Sequence, residues 1–175
     1  MSPINIKTLS VADLLALHVQ INNELRARKV IRSENNPTGD LAETLFCKAF
    51  DWQPAPNSTR GYDATDDEGV RYQIKGRRIH HLNKSHQLSV IRDIGNNPFD
   101  YLAGILFDEN FHVIKAAIIP IDLVRKLSKF KEHTRGNNFI LRDKVWDEPG
   151  VRDVTTKLRA TLTEIAAPLP ANTQK

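Results

Sequence analysis

The tripeptide Asp67-Glu68-Gly69, set between the alternating stretches "YDATD" and "VRYQIK", fits a three-residue hairpin loop: a type I turn followed by a residue at positive φ. That loop allows one register, in which Asp66 opposes Val70, Thr65 opposes Arg71, Ala64 opposes Tyr72 and Asp63 opposes Gln73. Side chains alternate along a strand, so the register sorts the hairpin into two faces. Tyr62, Ala64, Val70, Tyr72 and Ile74 make an apolar face suited to a core. Asp63, Thr65, Arg71, Gln73 and Lys75 make a polar one.

The remaining periodicities surround this hairpin with helices and further strands. Leu14, Leu17, Ile21 and Leu25 recur at helical spacing behind Ser10 and Asp13, a pair suited to N-terminal capping, which predicts a helix over about 10–29. "SENNPTG" breaks it, and "DLAETLFCKAF" reads as a second helix with Asp40 as its cap and Leu41, Leu45 and Phe46 or Ala49 inward. "WQPAPNSTRG" is a connector with room for one short edge strand. "FDYLAGILFD" and "FHVIKAAIIP", joined by Asp-Glu-Asn, read as two buried strands, whereas residues 79–98 have no clear period. A short helix after Pro120, a strand in "NNFILRD" and a last helix entered through Pro149 complete the order. The expectation is an α/β domain with a mixed sheet flanked by helices: a helical extension over 1–33, the main domain over 34–166 and a disordered tail over 167–175.

Forty per cent apolar residues in 175 are enough for one good core. The single cysteine, Cys47, excludes an intrachain disulfide and every multi-cysteine metal motif, which suits a reducing cytoplasm. No apolar run approaches the ~20 residues of a membrane helix, and the N-terminus lacks signal-peptide form. Twenty-five Lys and Arg against 21 Asp and Glu make the chain mildly basic, and the distribution is uneven. From Gly69 to Arg92 there is no acid, while Arg71, Lys75, Arg77, Arg78, Lys84 and Arg92 fall there with His80, His81 and His86. Such a window suits phosphate contacts, with a solvated edge as the plain alternative. Neighbouring histidines on a strand point apart, so the three do not suggest a metal site.

On the polar hairpin face, a carboxylate and an amide oxygen form the hard, oxygen-only set that Mg²⁺ accepts, and an adjacent ammonium can stabilise charge developing on phosphate. An acid at the end of one strand, a hairpin, then "QIK" on the next resembles the PD-(D/E)XK nuclease superfamily, the restriction-endonuclease-like fold, in the glutamine variant of Mrr-like restriction enzymes. "NNPTGDLAE", "GYDA" and "YQIKGRR" are similar to small bacterial members, and the resemblance spans roughly residues 38–120. It implies Asp63 and Gln73 as metal ligands, Glu43 as a third ligand direct or through water, and Lys75 as the residue orienting or activating the attacking water. The implied cofactor is Mg²⁺, with Mn²⁺ as a substitute. The implied partner is nucleic acid, DNA before RNA, contacted through Arg71, Arg77, Arg78 and Lys84, and the implied setting is restriction or antiviral defence, with homodimers common in the superfamily. Asp40-x-x-Glu43 also has the form of a capping box, so Glu43 retains a purely structural alternative. Gln73 in place of an acid leaves open a non-catalytic nucleic-acid-binding protein, and the N-terminal helix leaves open a protein–protein adaptor.

Overall fold

The computed structural model describes residues 4–56 and 59–166; the expected tail lies outside them. The first helix, α1 (Val11–Ala27), begins with a complete capping box between Ser10 and Asp13. α2 (Thr38–Phe50) buries Leu41, Ala42, Leu45, Phe46 and Ala49 on one face. β1 (Gln53–Pro54), β2 (Ala64–Thr65), β3 (Arg71–Arg78), β4 (Tyr101–Phe107) and β5 (Val113–Pro120) follow. After α3 (Ile121–Leu127) come a small ladder of β6 (Lys129–Lys131) and β7 (Gly136–Asn138), the edge strand β8 (Arg152–Asp153) and α4 (Thr155–Ala166).

Among the described residues, six strands form one sheet in the order β1-β2-β3-β4-β5-β8, making a mixed α/β architecture. β3 and β4 run parallel, and every other neighbouring pair is antiparallel. A parallel pair needs a crossover, and residues 79–100 supply it as irregular chain with one 3-10 turn (Ile94–Asn96). This is why the segment shows no period in the sequence.

Each face of the sheet has its own core. α2 and α4 cover the face bearing Tyr72, Ile74, Ala103, Ile105 and Phe107. The crossover and the chain between α3 and β8 cover the other, where Leu102 and Leu106 meet Leu88, Ile91, Phe99, Phe139 and Leu141. In the parallel register, Gln73 lies beside Leu102, Lys75 beside Gly104 and Arg77 beside Leu106. The second core therefore stops at β3, where side chains of that face turn polar.

Four expectations change. Asp40 does not cap α2, whose N-cap is Pro37; its carboxylate accepts the backbone N–H of Arg32 and Ser33 instead, tying the α1–α2 loop to the helix. Tyr62 packs against the second core, not the first, because strand pairing ends at Ala64 and alternation does not extend past Asp63. The strand in "NNFILRD" covers Gly136–Asn138 only, and Phe139 and Leu141 insert into the core. The last helix starts at Thr155 and not after Pro149, since Arg152–Asp153 first pair with Ala117–Ile118 and the Thr155 hydroxyl is spent on Ala116.

Candidate active site

The hairpin adopts the loop its sequence dictates. Gly69 sits at φ +79°, its N–H donates to Asp66 O at 3.0 Å, and the pairs Ala64–Tyr72 and Thr65–Arg71 hold the expected register. Asp66 fastens the turn by accepting the Glu68 and Val70 N–H and the Tyr72 hydroxyl. Burial works against its charge, but these donors outweigh it and hold its carboxyl below the usual range. Tyr72 is buried in a stack whose nearest ring is Trp52, 3.6 Å between centroids; burial, then the bond to Asp66, pushes its phenol up to about 12.

One residue beyond Ala64 the ladder breaks. The Asp63 N–H donates to Tyr72 O, and its own carboxylate accepts the Ile74 N–H at 2.7 Å, taking the place of a main-chain partner. The same oxygen, Oδ2, is 3.9 Å from Lys75 Nζ. The side chain of Asp63 is 25% exposed and that of Lys75 is 19% exposed, so neither belongs to an open solvated face. Among the described residues nothing hydrogen-bonds Asp63 Oδ1 or the Gln73 amide.

Gln73 and Lys75 line a cleft of about 370 Å³ whose other walls are Arg60, Val90, Arg92 and Asp93. The crossover chain thus forms its far side, with Asp93 in the left-handed region at φ 54°. Arg60 and Asp93 carried no signal in the sequence, because the first reaches the cleft through the path of the β1–β2 connector and the second through that of the crossover. Arg92 stood out only as the last base of the acid-free window.

Glu43 projects from α2 and pairs with Arg32, its side chain 23% exposed. It does not act as a capping box, since α2 has no side-chain cap. One turn further on, burial pushes the Cys47 thiol up to about 11, with Arg32 pulling it down and the Asp63 charge adding to the rise. Among the described residues no three His, Cys, Asp or Glu side chains group as a metal site. Gln73 and Asp93 line the cleft, and Asp63 lies beside it through Lys75, oxygen ligands of the hard type that leave the rest of a Mg²⁺ shell to water and phosphate.

The cations expected to meet nucleic acid separate. Arg71 is committed to Asp100, which accepts its backbone N–H and two guanidinium N–H and is held by it below the usual carboxylate range. This pair pins the start of β3 to the start of β4, so Arg71 is not a free cation. Arg77 donates to Ser85 O, and Arg78 lies over the Phe111 ring at 4.9 Å. Both line a second polar cleft of about 250 Å³ with Asn36, Thr38, His80 and Asn83. Lys84 is exposed in the turn that follows. His81 is 3.7 Å from Glu109, and His86 contacts Leu141 O.

No protein-family model matches the chain, and no curated protein is significantly similar to it. Among the described residues no helix is long and apolar enough to cross a membrane.

Proposed function

We propose that the chain is a cytoplasmic, Mg²⁺-dependent nuclease of the PD-(D/E)XK, restriction-endonuclease-like superfamily, hydrolysing phosphodiester bonds in DNA and serving restriction or antiviral defence. The observation that carries this reading is the gathering of Asp63, Gln73 and Lys75 where β2 parts from β3, beside a cleft walled by Arg60 and Arg92. A helix bearing Glu43 precedes this hairpin, where members of that superfamily often carry a further glutamate. Mg²⁺ would be held by Asp63 and Gln73, with Glu43 reaching it once released from Arg32; when bound, it supplies charge to polarise a phosphoryl oxygen. Lys75 lines the cleft with its Nζ 3.9 Å from Asp63, and there it can donate to a phosphate oxygen as negative charge accumulates. Arg60 and Arg92 hold the flanking backbone in place without reading its sequence.

The test is incubation of wild type and Lys75→Ala with supercoiled plasmid, linear duplex and single-stranded RNA, in Mg²⁺, Mn²⁺ or EDTA. Metal-dependent cleavage of DNA, reduced about a hundredfold or more in the variant, is expected. Cleavage that survives Lys75→Ala and Asp63→Ala alike would remove the hairpin from the chemistry.

One observation favours a second reading, a non-catalytic nucleic-acid-binding protein. Gln73 leaves Asp63 as the hairpin's sole inward carboxylate, and Lys75 already neutralises it. Salt-sensitive DNA binding without cleavage by any variant would select that reading.

A further inference from the structure

α1 is a 17-residue helix that buries none of its side chains. Val11 is 75% exposed, Leu15 64%, Val19 55% and Ile21 50%, and just before the helix Ile4 is 65% and Ile6 58% exposed. A helix of this length is marginal alone in water, and most helices persist by packing an apolar face. The base of the arm offers the complementary feature. There, Leu25, Val30, Leu41, Phe111, Leu162 and Ile165 line an apolar cleft of about 280 Å³. Tip and cleft lie at opposite ends of one helix, about 21 Å apart from Val11 to Leu25, so the arm cannot fill its own cleft.

We propose that α1 pairs antiparallel with α1 of a second copy, each arm placing its Ile4, Ile6 and Val11 end at the apolar cleft of the other. Val11, Leu14, His18, Ile21, Leu25 and Arg28 follow the alternating three-and-four spacing of a helix-pairing seam. That spacing reads the same in both directions. A two-fold axis therefore sets Leu14 against Leu25, His18 against Ile21 and Val11 against Arg28, as an isologous interface requires. The helix ends select the direction: Asp13 lies in the first turn with Lys7 just before it, and at the other end Arg26 and Arg28 pair with Glu34 and Glu24, leaving Lys29 beside the helix C-terminus. Antiparallel arms oppose the helix dipoles and bring Asp13 toward Lys29, whereas parallel arms would align the dipoles and set the two Lys29 side by side. A lipid surface is the poorer occupant, because the cations Lys7, Arg26, Arg28 and Lys29 sit at the two ends of the arm, two of them already paired with Glu34 and Glu24, and do not line a polar face along it. This inference is independent of the nuclease reading.

The test measures the native mass of the wild-type chain at about 10 µM, a concentration at which a micromolar complex is formed. A dimer is expected, and Ile6→Asp with Leu14→Asp, at exposed positions that leave the helical circular-dichroism signal intact, should raise its dissociation constant about a hundredfold or more. In a Cys47→Ala background, mild oxidation should link two chains of the Val11→Cys/Arg28→Cys double variant. Val11→Cys alone should not link, its two copies being about 25 Å apart. A monomeric wild type, a dimer indifferent to the aspartates, or linking of Val11→Cys alone would each overturn the proposal. Monomers that sediment with anionic phosphatidylserine vesicles would overturn it in favour of a lipid surface.

Discussion

At the residue scale, side chains that look interchangeable in the sequence are separated by their partners. Asp40, Asp66 and Asp100 each accept backbone N–H groups and serve structure. Asp63 also accepts one, from Ile74, yet the same oxygen faces an ammonium 3.9 Å away. Cys47 gives a direct check on this neighbourhood. With its thiol pushed up to about 11, little thiolate exists at neutral pH. Labelling by a disulfide reagent at pH 8 should be about a hundredfold slower in the native protein than in urea, where an unperturbed thiol ionises near pH 8.5. A raised thiol pKa favours the folded state only below the unfolded value, so stability should fall as pH climbs from about 8.5 toward 11. Equal labelling rates in the two states would show that the Cys47 thiol is not shielded by the fold.

At the element scale, the contact of α2 with β3 sets how close Glu43 comes to the hairpin. Gly76 makes that contact: a Cβ there would lie 2.8 Å from Thr38 O and 3.0 Å from Ala42 Cβ. The carbonyl belongs to helical backbone and cannot swing aside. Gly76→Ala should cost about 1–3 kcal/mol in urea melts. Gly39→Ala, in α2 with nothing within 4 Å, should instead stabilise by about 0.5–1 kcal/mol. The same sign for both would mean that packing of α2 on β3 does not limit the fold. The hairpin was legible because its loop and both strands fall within 15 residues and Gly69 admits one turn. The late start of α4 was not, because β8 forms only where β5 offers an edge.

At the scale of the whole molecule, the acid-free window does not become one basic face. Arg71 is held by Asp100, Lys75 and Arg92 line the hairpin cleft, and Arg77 and Arg78 line another. If these clefts carry a nucleic-acid backbone, Arg77→Ala with Arg78→Ala should weaken DNA binding and lower its salt slope by about 2, while Lys75→Ala should leave binding largely intact. Fluorescence anisotropy across a salt series reads both, and an unchanged slope would detach the second cleft from the DNA path. The sequence by itself determined the turn at Gly69, the register of Ala64 and Thr65, the shared face of Asp63, Gln73 and Lys75, and the two apolar strands. All of these follow from local backbone geometry and a period of two. Only the tertiary structure decided that Asp100 takes Arg71, that Asp40 holds the preceding loop, and that the β1–β2 connector and the crossover bring Arg60, Arg92 and Asp93 around Lys75. Arg92, Asp93 and Asp100 reach the hairpin because a parallel β3–β4 pair forces the intervening chain across one face of the sheet, a constraint no local pattern encodes.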